Sequence, residues 1–286
     1  MPSLIDIRRR IRSVKNTQQI TKAMKMVSAA KLRRAQDRVV SSRPYGAMLR
    51  KMLGNVAAAV STDENAGSNP LLAQRAEQRI LLVLVTSDKG LAGAFNTYLI
   101  KAGQRFIAEH AGASVQMVLI GRKGRDFFRK RGAAILGEHI NMAAKLVFAD
   151  VAAIAGKAME MYRNEEIDAV YLIYNEFKSV VAQTLTTSRV LPIQLPEQAA
   201  PVDYIFEQPP TEMLNALLPK YVEMEFYRSL AESTAAEHAA RMTAMEAATS
   251  NAGEMIEKLT LYMNRVRQAS ITKEIIEVVS GAAAAE

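Results

Sequence analysis

The sequence predicts an α/β insert domain, Rossmann-like with a largely parallel sheet, between two long terminal helices that form an antiparallel coiled coil. Three observations predict this fold: a C-terminal apolar seam, a helical N-terminal stretch, and strands that alternate with helices between them. The expected segments are an N-terminal coiled-coil helix over 1–60, a linker over 61–78, the α/β domain over 79–192, a linker over 193–208 and a C-terminal coiled-coil helix over 209–286.

The C-terminal stretch, residues 211–286, carries a seam that repeats at alternating intervals of three and four residues. This 3.5-residue repeat is typical of helices that supercoil around each other. The seam contains as much Ala, Met and Thr as Leu, so a partner backbone can approach closely. Its members are Ala235, His238, Met242, Met245, Thr249, Ala252, Ile256, Leu259, Met263 and Val266.

The N-terminal stretch offers a matching apolar face. It begins at Leu4, Ile7, Ile11 and Val14, and after four polar residues the same face is expected to resume at Ile20, Met24 and Val27. Ala, Arg and Lys favour helix here, and Pro44 is expected to kink or briefly interrupt it. In the antiparallel pairing, Leu259 and Met263 are predicted to lie near Ile7 and Ile11.

The middle of the chain reads as an α/β domain. A continuous apolar run at 80–85 indicates a buried strand, and further strands are expected at 115–120, 169–174 and, at an edge, 180–191. Helices are expected at 95–110, from 121 to 131, and at 148–164. Strands that alternate with helices indicate a largely parallel sheet.

The C-terminal helix is longer than its partner. If residue 58 lies near residue 210, and each residue of a helix advances by about 1.5 Å, the segment from about Arg265 projects past the start of the first helix. This tip is apolar, with Ile271, Ile275, Ile276, Val278 and Val279. An apolar tip without a partner in its own chain predicts that another protein surrounds it.

The net charge of +8 is unevenly distributed. Residues 1–58 carry fourteen Lys or Arg and two Asp or Glu, whereas residues 209–286 carry seven basic and eleven acidic residues. A basic end indicates either a polyanionic partner such as nucleic acid or an acidic neighbour in the same chain. Two interpretations therefore remain at this point.

The composition excludes several kinds of site. The chain of 286 residues contains no Cys and only three widely separated His, which argues against disulfides, thiol nucleophiles and a metal site. No apolar run reaches the roughly 18 to 20 residues that span a bilayer. The N-terminus lacks the apolar core of a secretion signal.

Candidate chemistry is sparse. Gly90 and Gly93 follow a strand without forming a dinucleotide or P-loop motif, so neither nucleotide binding nor any cofactor is expected. Asp88 and Lys89 lie where α/β sheets place ligands, but a polar turn is the favoured interpretation. The stretch 121–124, GRKG, fits either a phosphate site at a helix N-terminus or an ordinary turn. His238 on the seam is interpreted as a packed histidine rather than a proton relay.

Four stretches together resemble the γ subunit of the F-type ATP synthase, bacterial type. They are IRSVKNTQQITKAMKMV at 11–27, SSRPY at 41–45, SDKGLAG at 87–93 and RQASITKEIIEVVSGAA at 267–283. The resemblance covers essentially the whole chain. The absence of a transit peptide favours a bacterial source, and the absence of Cys means that the thiol switch of the chloroplast type is missing.

The resemblance implies a central-stalk rotor that couples proton or other ion flow through the membrane sector to ATP synthesis and hydrolysis. Its partners would be the α3β3 hexamer, the ε subunit and the membrane c-ring, with no nucleic acid. The chain would carry no catalytic, cofactor or metal site, and would reach the cytoplasmic face of the inner membrane only as a peripheral part of the complex. Positions that match β-contacting residues of the family are Met24, Glu237, Arg241, Arg267, Gln268 and Thr272.

Two other classes stay open at this stage. A basic coiled-coil nucleic-acid-binding or scaffold protein would bind its partner with an affinity that falls steeply with salt, although aromatic residues for base stacking are few in residues 1–58. An α/β enzyme with helical appendages would bind a small molecule near Asp88, although its phosphate motifs are missing.

Overall fold

The computed structural model of the chain describes residues 3–60, 69–194 and 207–283, and its side chains up to residue 280 in the last helix. Residues 61–68 and 195–206 of the two predicted linkers lie outside the described residues. The chain divides into two compact units, one of residues 1–28 with 242–286 and one of residues 29–241. The predicted division into five segments stays a prediction.

Ten main elements follow one another along the described chain, and they agree closely with the expected helices and strands except at β3. In order they are α1 (Leu4–Val60), β1 (Arg79–Val85), α2 (Phe95–Glu109), β2 (Ser114–Ile120), α3 (Arg122–Arg129), β3 (Ile135–His139), α4 (Phe148–Arg163), β4 (Ala169–Phe177), β5 (Gln183–Leu191) and α5 (Pro210–Ala283).

The first unit contains an antiparallel pair of helical segments, one from each end of the chain. The hydroxyls of Thr21 and Thr249 lie 2.7 Å apart, and Nζ of Lys25 lies 2.6 Å from Oε1 of Glu246. Ten residues onward along α5 and ten residues back along α1, this pairing places Leu259 level with Ile11. This extrapolation agrees with the predicted register, and the α5 seam positions of this unit are all buried or half-buried.

The predicted face of α1 is wrong at two positions. Ile20 and Val27 are 59% and 56% exposed, while Gln18, Thr21 and Ser28 take the inward positions. The 3.5-residue spacing continues through these polar residues. Two of them are hydrogen-bonded to α5, since Thr21 reaches the Thr249 hydroxyl and Nε2 of Gln18 donates to the Thr249 carbonyl at 3.4 Å. Hydrophobicity alone does not reveal a seam whose middle is polar.

The N-terminal helix continues through Pro44 without an interruption, and the predicted alternative of a kink stays a prediction. In the second unit its residues run antiparallel to α5, and two ion pairs one heptad apart join them. Arg43 Nη2 lies 3.3 Å from Glu232 Oε1, and Arg50 Nη2 lies 3.0 Å from Glu225 Oε1. These pairs support the interpretation in which the basic end of the chain lies beside its acidic end.

The second unit also contains a five-stranded sheet in the order β3-β2-β1-β4-β5. Four strands are parallel, and β5 pairs antiparallel with β4 at one edge, as expected for the Thr-rich strand. The apolar residues of β1 are all buried, which suits the central strand. Asp168 fixes the start of β1, since it accepts from the backbone N–H of Arg79 at 2.9 Å and pairs with the guanidinium at 2.7 Å.

Candidate partner-contact site

The carboxyl edge of the sheet is the place where open α/β folds bind ligands, next to the point where the strand order reverses. Here that point lies between β1 and β4. The last helix occupies it: Glu232 accepts the backbone N–H of Phe177 at the end of β4, and Arg241 reaches the loop that follows β1. Leu230, Ser233 and Glu237 line a residual cavity of only about 10 Å³ against the ends of β1 and β2. Side chains of the chain itself therefore fill the usual ligand crevice.

Asp88 has a structural role in the polar turn after β1, which is the interpretation that was favoured from the sequence over a ligand site. Its carboxylate accepts the backbone N–H of Arg122 at 3.1 Å and that of Asn141 at 2.9 Å. It therefore ties the loop after β1 to the loops after β2 and β3. The neighbouring Lys89 contributes its carbonyl oxygen, which accepts from the hydroxyl of Ser87 at 2.6 Å.

The stretch 121–124 is a turn and not a phosphate cradle. The first three amides of α3 already have acceptors in the loop after β1: Asp88 for Arg122, the Ser87 carbonyl for Lys123 at 3.0 Å, and Oγ1 of Thr86 for Gly124 at 2.9 Å. Gly121 is required here, since its φ is +93° and a Cβ would lie 2.1 Å from the Thr86 carbonyl oxygen. A phosphate would have to displace all three acceptors.

Glu237 and Arg241, two of the predicted partner-contact residues, are buried against each other. Arg241 Nη1 lies 2.8 Å from Glu237 Oε1, and both side chains are less than a tenth exposed. Burial raises the pKa of Glu237, while the guanidinium of Arg241 opposes that rise. The rest of the Arg241 guanidinium donates to the carbonyls of Lys89 and Gly90. Within the single chain these side chains are engaged, and their contact with a partner stays a prediction.

His238 is a half-buried neighbour of this pair. Burial, with a further contribution from the charges of Arg241 and Lys31, lowers its pKa to about 4. The imidazole is therefore neutral at physiological pH, and its Nδ1 lies 3.5 Å from Nη1 of Arg241. A ring held neutral and packed on the seam fits the structural interpretation of this residue.

Arg267, Gln268 and Thr272 lie on the exposed end of α5. Thr272 Oγ1 donates to the Gln268 carbonyl within the helix at 2.9 Å. Arg267 and Gln268 are both exposed. Every residue from 271 to 280 is exposed, as predicted for the tip, including five large aliphatic residues. Met24 is half-buried beside the seam of the first unit.

Exposed apolar residues outside the seam also lie in the first unit. Ile20 and Val27 on α1, and Met255 and Tyr262 on α5, are each seven residues apart and between 42% and 59% exposed. A seven-residue spacing places each pair on one side of its helix. From the sequence, Ile20 and Val27 were interpreted as part of the face that packs on α5, and Met255 and Tyr262 were not singled out.

The described residues contain no group of three or more His, Cys, Asp or Glu that is suited to a metal ion. None of the helices in these described residues has the length and hydropathy needed to cross a bilayer.

Comparison with known proteins extends over the whole chain. A family model described as "ATP synthase" matches residues 3–285. The ATP synthase gamma chain of Solibacter usitatus (strain Ellin6076) is 77% identical over 286 residues, 100% of both chains. That of Anaeromyxobacter sp. (strain Fw109-5) is 50% identical, with 99% of each chain covered.

Two solved structures share the fold. A chain from the Tetrahymena thermophila mitochondrial ATP synthase central stalk and c-ring is 28% identical with a TM-score of 0.63, and the match covers 80% of this chain and 99% of that one. A chain from the Euglena gracilis mitochondrial ATP synthase has a TM-score of 0.68 at 20% identity, with 98% and 94% covered. The full-length family match and the 77% identity show that the chain belongs to the ATP synthase gamma chain family.

Proposed function

We propose that the chain is the central-stalk rotor of an F-type ATP synthase, which couples ion flow through a membrane sector to ATP synthesis or hydrolysis at an α3β3 hexamer. The observation that carries the proposal is the exposed apolar end of α5. A row of Ile and Val residues from Ile271 to Val279 would be unfavourable in water on a finished surface. A sleeve of partner subunits around this end removes that apolar area from water.

The chain itself is built to transmit force and not to catalyse. Its two terminal helices are continuous over 57 and 74 residues, and antiparallel contacts join them in both units. Its usual ligand crevice is filled by α5. ATP chemistry would therefore belong to the hexamer, and the chain would change the hexamer by turning inside it.

The proposed contacts with the β subunits are Met24, Glu237, Arg241, Arg267, Gln268 and Thr272. Arg267 and Gln268 are exposed next to the apolar tip, so their side chains are available to a partner without rearrangement. The exposed residues Ile20, Val27, Met255 and Tyr262 provide further apolar area in the same unit. The foot of the chain would join the ε subunit and the c-ring, and through them the cytoplasmic face of the bacterial inner membrane.

Native mass spectrometry tests this proposal. The tagged chain is co-expressed with the α and β subunits of its own genome and is purified through the tag. We expect a single complex of three α, three β and one copy of this chain, and the complex should hydrolyse ATP. A matched variant with Ile271, Ile275 and Ile276 changed to Ser should give less complex at equal expression. Recovery of the chain without α and β subunits would contradict the proposal.

A further inference from the structure

Among the described residues, the hydrogen bonds between the loop after β1 and the last helix come from Arg241. Its Nη2 donates to the Lys89 carbonyl at 3.1 Å and to the Gly90 carbonyl at 3.2 Å, and its Nε lies 3.3 Å from the Gly90 oxygen. Glu237, one turn earlier on α5, holds Nη1 at 2.8 Å. The planar guanidinium therefore has donors directed to both neighbours at once, which a lysine cannot reproduce.

The residue that follows these two carbonyls has an unfavourable backbone conformation. Leu91 has a φ of +61°, in the left-handed region that side chains with a Cβ avoid. Its side chain is 65% exposed, so packing of that side chain does not account for the conformation. A strained residue persists when the surrounding structure determines its conformation. The constraint must therefore act through the backbone of the loop.

The other anchors of the loop hold its first part. Ser87 is fixed by Asn96, which accepts its backbone N–H at 3.0 Å, and Asp88 is fixed by the amides of α3 and of Asn141. Beyond Asp88, the Lys89 carbonyl is shared by Ser87 and Arg241. The hydrogen bonds that the Gly90 carbonyl accepts within the described chain come from Arg241. Arg241 is thus the anchor directly before Leu91.

We infer that Arg241 is a positioning residue, oriented by Glu237, which pins the Lys89–Gly90 backbone to α5 and thereby holds Leu91 in its exposed, left-handed conformation. Through these hydrogen bonds of Arg241, the tip of the loop moves together with α5. This role goes beyond the proposed partner contact and does not depend on it, because it is made entirely within the chain.

Limited proteolysis with trypsin tests this inference directly. Trypsin cleaves after Lys89 by attacking the same carbonyl group that Arg241 binds. In the full-length chain, Arg241→Gln should raise the rate of cleavage after Lys89 about tenfold, since proteolysis follows the population of the open loop. Cleavage after Lys130, an exposed residue beyond α3, should keep its rate. Arg241→Lys should fall between the wild type and Arg241→Gln, because a compact ammonium lacks the planar spread of donors that lets the guanidinium reach both carbonyls and Glu237.

Arg43→Gln is the matched control, since it removes another arginine bound to an α5 carboxylate but does not contact the loop. It should leave cleavage after Lys89 unchanged. Equal rates at Lys89 in the wild type and Arg241→Gln would overturn the inference, and so would a rise of the same size at Lys89 and Lys130. If Arg241→Gln does not fold, Glu237→Gln provides the test: a faster cut at Lys89 supports the pin, and an unchanged cut overturns it.

Discussion

Replacing Glu232 with Ala is expected to lower the free energy of unfolding of the chain by about 2 to 3 kcal/mol, because it leaves a buried backbone donor without its acceptor. The side chain of Glu232 is 3% exposed. Its Oε2 accepts the backbone N–H of Phe177 at 3.0 Å, and its Oε1 pairs with Arg43. Chemical denaturation followed by circular dichroism measures the loss, and Tm should fall by about 4 to 12 °C for a unit of this size.

Glu232→Gln is the control for this change. Its amide oxygen can still accept from Phe177, whereas its pairing with the half-exposed Arg43 is lost, and exposed ion pairs contribute only about 0 to 1 kcal/mol. We therefore expect a loss of no more than about 1 kcal/mol for Glu232→Gln. Equal losses in the Ala and Gln variants would show that the charge, and not the acceptor for Phe177, holds α5 at the end of β4.

Arg267→Ala or Gln268→Ala is expected to lower coupled turnover of the assembled complex about tenfold or more, while the isolated chain keeps its stability. Both residues are exposed, and within the described chain their side chains make no hydrogen bond or ion pair that would be lost. An arginine that becomes buried against a carboxylate in a complex contributes strongly, and truncating one partner typically costs about 2 to 5 kcal/mol. ATP-driven ion pumping and the ATPase rate of reconstituted complexes measure the effect.

Deleting residues 282–286 is the comparison for these variants. Residues 284–286 lie outside the described residues, and side chains are not described from 281 onward. The Ala-rich tail offers small, smooth side chains, so its removal should leave assembly and most ATP turnover intact. If the deletion and Arg267→Ala lowered coupled turnover equally, or if the deletion lowered it more, the contacts needed for coupling would lie elsewhere.

The fold was predictable where the pattern of hydrophobicity has a single interpretation. The run 80–85 is apolar throughout, and it forms the central strand β1. The five-residue strand β3 was missed, because Ile135–His139 contains a Gly, a Glu and a His and is only half-buried at the sheet edge. The polar middle of the coil was also missed. Thr21 is 8% exposed because Thr249 satisfies its hydroxyl, a relation between residues 228 positions apart that local pattern does not contain.

The candidate site was predictable only in part. The lengths of the two helices and the apolar content of the end of α5 predict an exposed apolar tip, and the aliphatic residues of this tip are exposed in the structure. The environment of Arg241 was not predictable in the same way, since its partners are backbone carbonyls 151 and 152 positions away. Nothing in a sequence marks the carbonyl of an ordinary Lys or Gly as an acceptor. The fold has to bring α5 across the edge of the sheet before this contact exists.

Direct observation of rotation tests the central claim most closely. The chain contains no Cys, so a single Val181→Cys variant can be labelled at one known place, in the exposed turn between β4 and β5. With the α3β3 hexamer fixed to a surface and a bead attached at that cysteine, we predict rotation in one direction that requires ATP. A bead that stays fixed relative to the hexamer while the same complexes hydrolyse ATP would contradict the assignment of this chain as the rotor.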